Sequence, residues 1–364
     1  MDIKTILHIG VGRCGNKIVD EMMNKDKRYT GLMVNSSLGD MLELDNFKNK
    51  RASAFVIPNA DGSGRDRSVA KEYAKTNVQR FADEILRFNQ YELFIVYLSM
   101  DGGTGSGATP MLIRAMRRVL PPQKKIMVVG VMPKISSSKI SLENTLDCWN
   151  DLMQLKDEKM INSFRFVDND KREWYDEVNQ EVVSDLDRSF KLHTFDKDGI
   201  IDQRDSRNIN TANGYGMFLN INNNIDDIKT AIEQAKKNSV FVMPHSNDCD
   251  YLGMLLQGGR YNLNEAKCLF NVYETDYVGN SDGRNIILAT GMNIPVQKIE
   301  LIQVALKEFK QRSNSRIQDA SLFVSKDSEP KEETVAPTPT VAFKNGTTAT
   351  ADELDALFDD DCWN

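Results

Sequence analysis

The residues best suited to chemistry in this chain sit in three loops rich in glycine and small polar side chains. The first, GVGRCGNK, places Gly10, Gly12 and Gly15 at the spacing G-x-G-x-x-G, with Arg13, Cys14 and Asn16 between and after them. That spacing lets a backbone turn tightly and approach a pyrophosphate. The dinucleotide fingerprint also wants an acid at the end of the second strand to hold a ribose hydroxyl. Here the segment is MVNSS, and Asn35 stands near that place. Nor is the loop a P-loop of the type G-x-x-x-x-G-K-[ST], because Lys17 falls one residue late and isoleucine follows it. The second loop is ADGSGRD, with Asp61, Gly62, Ser63 and Gly64. The third, MDGGTGSGATP, offers Gly102, Gly103, Thr104, Gly105 and Ser106. Its glycines allow successive N–H groups to point into one concavity, and its hydroxyls add donors. A helix beginning near Ala108 would add the positive end of its dipole. The chemistry expected is a polyphosphate held mainly by backbone amides, without a lysine-bearing loop.

Such loops need a frame. The 364-residue chain is 40% hydrophobic and 27% charged, with a net charge of −7, the composition of a globular protein of about two domains. Its acidity argues against direct contact with nucleic acid. No segment is long and apolar enough to span a bilayer, and the N-terminus has no basic region ahead of an apolar core, so a cytoplasmic location is expected. The five cysteines are odd in number and form no CxxC pair, which suits reduced thiols. His8, His193 and His245 are isolated and make a poor metal site.

Over residues 1–169 strand-like and helix-like segments alternate: TILHIGVG, CGNKIVDEMMN, TGLMVNSS, a single long amphipathic helix over 68–88, ELFIVYLSM, ATPMLIRAMRRVL, KKIMVVGVMP, SLENTLDCWNDLMQL and NSFRFVDN. This alternation predicts an α/β fold with a doubly wound parallel sheet, and every glycine loop falls at a strand's carboxyl end, where such sheets bind ligands. From Asp170 the chain lacks Gly and Pro as far as His193, and a long central helix over 170–195 is expected. At ~1.5 Å per residue it would reach roughly 36 Å. FDKDGIIDQRDSRN reads as a loop. YGMFLNIN, VFVMPHS, YLGMLLQGG, LFNVYETDYV and NIILATGMN read as short strands, with a helix at IDDIKTAIEQAKK, giving a smaller α+β second domain over 196–295. A C-terminal amphipathic helix occupies 296–324. Residues 325–364 are poor in aliphatics and rich in Pro, Thr and Glu, the signature of a flexible linker and acidic tail. Within that tail Thr350 and Glu353 have capping-box spacing. Leu354, Leu357 and Phe358 share one helical face, surrounded by Asp352, Glu353, Asp355, Asp359, Asp360 and Asp361. Two readings stand: a short helix that folds on docking a partner, or a solubilising tail.

GVGRCGN followed by GGTGSG resembles the tubulin/FtsZ superfamily, whose signature is GGGTG[ST]G. Further loops match in order: Asn35 the second, ADGSG the third, VMPKISSSK the fifth and VDNDK the sixth, at the entrance to the central helix. One departure is Asp101, where the family has its first glycine. The resemblance implies GTP or GDP as ligand, with Mg²⁺ held through the phosphates. It implies phosphate contacts from Gly12, Arg13, Cys14, Asn35, Asp61, Gly62, Ser63, Gly64, Gly102, Gly103, Thr104, Gly105 and Ser106. It implies guanine contacts from Asn16, Asn169, Tyr175 and Asn179; the last two, at i and i+4, share a helical face. It further implies that Asp202 and Asp205, a DxxD after the central helix, enter the nucleotide site of the next subunit in a head-to-tail filament and orient the attacking water.

The acidic ending DELDALFDDD and the loop GRCGN set the chain apart from division FtsZ and resemble the plasmid- and phage-borne segregation tubulins. That resemblance implies a dynamic filament that moves DNA through a TubR-like DNA-binding adaptor docked by the tail. Alternatives are a phage tubulin that positions replicating DNA and uses its tail for assembly, an FtsZ-like division protein, or, outside the family, a Rossmann NAD oxidoreductase.

Overall fold

The computed structural model describes residues 1–318 apart from 197, 198, 258 and 282. Leu354, Leu357 and Phe358 therefore lie outside the described residues. Met1–Ser315 form one compact unit. The chain runs β1 (Ile6–Val11), α1 (Gly12–Lys25), β2 (Thr30–Asn35), α2 (Leu38–Met41), α3 (Asp45–Lys48), β3 (Ser53–Val56), α4 (Arg67–Thr76), α5 (Val78–Leu86) and β4 (Leu93–Ser99). It continues through α6 (Thr104–Val119), β5 (Lys125–Met132), α7 (Lys139–Asp157), β6 (Ser163–Asp168), α8 (Tyr175–Phe190), β7 (Thr194–Asp196), β8 (Gly199–Ile201) and α9 (Gln203–Thr211). Then come β9 (Gly214–Asn220), α10 (Ile228–Asn238), β10 (Asp248–Gln257), α11 (Leu263–Lys267), β11 (Asn271–Ser281), β12 (Ile286–Met292) and α12 (Gln297–Gln318).

The first six strands are parallel and lie in the order β3-β2-β1-β4-β5-β6. This is the doubly wound arrangement, with its switch point between β1 and β4. Both faces of the central strands are covered, so these strands are mostly apolar, with His8 of β1 and Arg165 of β6 as buried exceptions. In β4, Phe94, Val96 and Leu98 enter one core, while Leu93, Ile95 and Tyr97 enter another against α1 and α8. Apart from the β7–β8 hairpin, the second half does not form a separate sheet among the described residues. β9 pairs in parallel with β6 at Ser163–Gly214 and Phe164–Tyr215, and antiparallel β12 and β10, then β11, extend one ten-stranded sheet. Among the described residues no helix is long and apolar enough to cross a membrane.

Several elements differ from the expected ones. The helix over 68–88 is two helices, broken at Asn77, whose amide donates to the carbonyls of Pro58 and Tyr73. The central helix begins at Tyr175 rather than Asp170. Asp168 caps a turn of 3₁₀-helix at Asn169–Lys171, and buried Lys298 of α12 pairs with Asp168 at 2.5 Å and with Asp170, so these residues are held as a turn. At sixteen residues α8 is about 24 Å long. α6 starts at Thr104, so the glycine loop is itself the helix N-terminus. The segment expected as a loop before Asn208 holds the β7–β8 hairpin and the start of α9. VFVMPHS contributes a single bridge, Val167 to Phe241, rather than a strand.

Candidate nucleotide-binding site

A cavity of about 700 Å³ opens at the carboxyl ends of β1, β2, β4, β5 and β6. Its volume suits a nucleotide-sized ligand. At one end the N-termini of α1 and α6 converge. Neither helix has a side-chain cap at its N-terminus, which leaves first-turn N–H groups without that partner, as an anion site requires. The two loops touch backbone to backbone. Gly12 has φ +74°, and a Cβ there would lie 3.1 Å from the amide nitrogen of Gly105. Pro110 inside α6 has no N–H to give the carbonyl of Ser106; Arg67 takes that carbonyl instead at 3.2 Å, and its Nε donates to Ser106 Oγ at 3.1 Å. Arg67 also reaches Asp151 at 2.5 Å, so one guanidinium ties α4, α6 and α7 behind the cradle.

Thr104 joins three loops: its hydroxyl lies 2.7 Å from Ser36 Oγ and 3.2 Å from Ser63 Oγ. Residues 63–66 form a turn closed by Asp66 N–H to Ser63 C=O at 2.8 Å, with positive φ at both Gly64 and Arg65. That is a type I′ turn, which prefers Gly or Asn at both central positions, so Arg65 is held at a cost of about 1 kcal/mol.

The Asp101 carboxylate accepts a hydrogen bond from Ser99 Oγ, and its carbonyl accepts one from Asn144 at 3.1 Å. Burial, and then the charge of Asp101, push the Cys14 thiol up to about 12. Cys14 is therefore a neutral wall of the cavity and not a nucleophile.

At the other end, Asn169, Tyr175 and Asn179 line the cavity from the 3₁₀ turn and the first turns of α8. Tyr175 is exposed, with the Lys134 ammonium 5.4 Å from its ring centroid. An exposed ring with a buried amide one turn on can stack a planar base and bond its edge.

Of the residues expected to bind phosphate, Gly12, Arg13, Cys14, Asn35, Gly62, Ser63, Gly64 and Gly102 to Gly105 line the cavity. Three of the residues expected to contact the nucleotide do not. Asn16 is buried between α1 and β2, exchanging hydrogen bonds of 3.2 Å with the carbonyl and N–H of Val34. Asp61 is exposed and outside the lining. Ser106 is fully buried behind the loop, donating to the Gly102 carbonyl. Residues that sequence reasoning did not single out for binding also line the site: Lys17, Ser36, Ser37, Asp40, Arg65, Ser99 and Asp176. Ser36 and Ser37 follow Asn35 directly, and Asp176 sits between Tyr175 and Asn179, so proximity to the motifs was their only signal. Lys17 and Asp176 pair at 3.6 Å across α1 and α8. Burial and Asp176 together push Glu21 up to about 7. Among the described residues no group of three or more His, Cys, Asp or Glu side chains is arranged for a metal ion.

Asp202 and Asp205 lie elsewhere. Asp202 is the N-cap of α9 and Asp205 its third residue; Asp205 N–H donates to Asp202 Oδ1 at 2.8 Å and Asp202 N–H to Asp205 Oδ2 at 3.0 Å. This is a reciprocal capping box. The pair belongs to the opposite edge of the sheet. Asp202 acts electrostatically on the amino terminus of Met1, and Arg207 of α9 pairs with Glu92 at 3.2 Å. Met1 and Glu92 precede the amino ends of β1 and β4, whereas the cavity is at their carboxyl ends. Six residues of β1 separate the two edges, about 20 Å.

Residues 5–171 match the model of the tubulin/FtsZ family GTPase domain. It is 26% identical over 309 residues to the tubulin-like protein TubZ of a Clostridium botulinum C phage, covering 84% of each chain. The solved structure of a tail-truncated TubZ from C. botulinum phage c-st superposes with a TM-score of 0.77 at 27% identity, covering 85% of this chain and 99% of that one. A GTPγS-form protofilament structure of TubZ from Bacillus thuringiensis serovar israelensis shares the fold, with a TM-score of 0.72 at 17% identity over 88% of this chain and 94% of that one.

Proposed function

We propose that the chain binds and hydrolyses GTP and assembles head to tail into filaments. The observation that carries this reading is the separation of two half-sites. The cradle for phosphates and base lies at one edge of the sheet, and the two carboxylates able to orient a water lie at the other. One copy stacked on the next would bring Asp202 and Asp205 to the cradle of its neighbour. There they would hold water in line with the terminal phosphate while the amides of the Gly102–Gly105 loop take up the developing charge. Magnesium would be held through the phosphates. A TubZ that shares the fold forms a protofilament in its GTPγS form, which supports the reading.

We further propose that the filament segregates plasmid or phage DNA, reached through a TubR-like basic adaptor docked by the acidic tail around Leu354, Leu357 and Phe358. The protein is expected in the cytoplasm. GTP turnover per molecule should rise steeply with protein concentration, together with light scattering. A rate per molecule independent of concentration in a non-scattering sample would refute the shared site. Removing the last 14 residues should abolish adaptor binding with assembly intact; loss of assembly would favour a tail used in the filament itself. Preference for NAD(H) over GTP in a binding assay would favour an oxidoreductase.

A further inference from the structure

The base end of the cavity is held in shape by residues that do not touch it. Asn169 lines the cavity and is 8% exposed, and among the described residues its side-chain amide has no hydrogen-bond partner. A buried amide that the protein leaves unengaged is available to a ligand. Asp168 and Asp170 stand on either side of it, and neither lines the cavity. The Asp168 carboxylate accepts the Asp170 N–H at 3.0 Å, and the Asp170 carboxylate accepts the Ile135 N–H at 3.0 Å. Lys298, in the first turn of α12 and with its side chain 3% exposed, pairs with Asp168 at 2.5 Å and with Asp170. Through these contacts one ammonium joins α12, the Asn169–Lys171 turn and the segment that carries Pro133 to the cavity.

The same short segment is tied to the second half of the chain twice more. Lys171 Nζ donates to the Lys237 carbonyl at 3.2 Å. Arg172 donates to the Asn238 carbonyl at 2.9 Å while its guanidinium forks onto Glu181. Those carbonyls end α10, where a cation suits the open acceptors and the helix dipole. Residues 168–172 are therefore fixed by α10 and α12, which follow them by more than fifty positions. Of the three cations, Lys298 is the one that grips both sides of Asn169.

We propose that Lys298 is a positioning residue for base selection: by clamping Asp168 and Asp170 it sets the Asn169 amide against the edge of the purine, without touching the nucleotide itself. The assignment rests on the nucleotide-binding reading above. Two carboxylates drawn onto one turn need a cation between them, and removing it leaves like charges in contact and short of water. The turn then opens and Asn169 loses its place. The phosphate cradle is built from the Gly12 and Gly102–Gly105 loops of the first half, which Lys298 does not contact, and it keeps its geometry. Loss of the ammonium therefore acts on the choice of base and spares the hold on phosphate.

The test is titration of the full-length protein with GDP and with ADP, which carry the same phosphates and differ in the base, below the concentration at which light scattering rises. The unaltered chain should prefer GDP. Lys298→Met should weaken GDP roughly tenfold to a hundredfold and ADP by less than about threefold, the loss of one or two base-edge hydrogen bonds, so that the preference collapses. Lys298→Arg keeps the charge and should retain most of the preference. Asp170→Asn keeps an acceptor for the Ile135 N–H and loosens only the ion pair; it serves if Lys298→Met does not fold, and should narrow the preference by roughly threefold to tenfold. Equal weakening of GDP and ADP, or a preference unchanged in Lys298→Met and Asp170→Asn, overturns the assignment while leaving the cavity's function standing. Failure of the unaltered protein to bind either nucleotide overturns the function of the cavity and the assignment with it.

Discussion

Asp202 has two duties in the structure that one substitution can separate. As the N-cap of α9 it accepts the Asp205 N–H at 2.8 Å, and as an exposed carboxylate it is the candidate for orienting water in a neighbouring site. Asp202→Ala removes both, and loss of a cap of this kind costs about 1 kcal/mol, within a range of roughly 0.5–2. Asp202→Asn keeps the cap, because asparagine is as good at that position, and should change stability by only a few tenths of a kcal/mol. Both remove the negative charge. If the carboxylate activates water, turnover should fall on the order of 10²- to 10⁴-fold in each. The assay pairs urea unfolding with phosphate release at a concentration where the unaltered chain scatters light, and pelleting reports assembly. Acidity does not confuse the comparison. The Asp205 N–H holds the Asp202 carboxyl below the usual carboxylate range. Its contribution to stability is therefore complete above its unfolded pKa and disappears only as pH falls through the lower folded value. The expected result is Asp202→Asn filaments that bind GTP, pellet normally and persist. Asp202→Asn turning over GTP at the ordinary rate would refute the catalytic role and leave Asp202 as a helix cap alone.

The Gly102 and Gly103 pair gives a contrast within one loop: Gly103→Ala would drive a Cβ to 2.2 Å from Ser63 Oγ and 3.0 Å from the Arg65 backbone, whereas at Gly102 nothing lies within 4 Å. Gly103→Ala should therefore abolish nucleotide binding and destabilise by about 1–3 kcal/mol, and Gly102→Ala should stay close to the unaltered chain in a fluorescence binding assay. Asp185 is buried and raised to about 7 by that burial. The folded state thus holds its proton between the ordinary carboxylate range and pH 7, so stability should decline as pH rises through that window. Asp185→Asn keeps an acceptor for Asn220 Nδ2; it should raise stability at pH 8 by on the order of 1–3 kcal/mol and flatten the pH profile of urea midpoints. Lys298→Met should leave Asp168 and Asp170 without their cation and destabilise by about 2–3 kcal/mol. Because Asn169 lies between those aspartates, the variant should also weaken nucleotide binding measured by the same titration.

Much of the architecture was legible because it depends on local rules. Alternating apolar strands and amphipathic helices are properties of short windows, and a glycine loop at a strand end has few uses besides close approach of backbone. Residue-level assignments were less secure, because a motif names neighbours without saying which way each one faces. Asn16 follows the loop in sequence, yet the phase of α1 turns it toward Val34. Ser106 belongs to GGTGSG, but by the third residue of α6 the helix has turned it inward. The start of α8 was misjudged for a different reason. Residues 170–174 favour helix on composition, and the side chain that holds Asp170 in a turn is Lys298, 128 positions away. Asn144, which bonds Arg65 from 79 positions away, was invisible for the same reason.

The two half-sites belong to one mechanical unit because α8 is fastened at both ends. Its first turns carry Tyr175 and Asn179 in the cavity, and the Lys17–Asp176 pair attaches that end to α1. At the far end Asn210 of α9 donates to the Ser189 carbonyl at 2.9 Å and Ser206 Oγ to the Phe190 carbonyl at 3.4 Å, so α9 closes the carbonyls that the helix terminus leaves open. Tyr29 OH reaches Asp187 at 2.9 Å and Lys191 reaches Asp26 at 2.8 Å, which fixes the same end to the chain leaving α1. A rod of about 24 Å packed along its length transmits displacement better than it absorbs it. A base that shifts Tyr175 along the axis of α8 therefore shifts the platform on which Asp202 and Asp205 are mounted. In the stack proposed above that platform would face the next nucleotide, and occupancy of one cradle would then bear on the geometry of the water held over another.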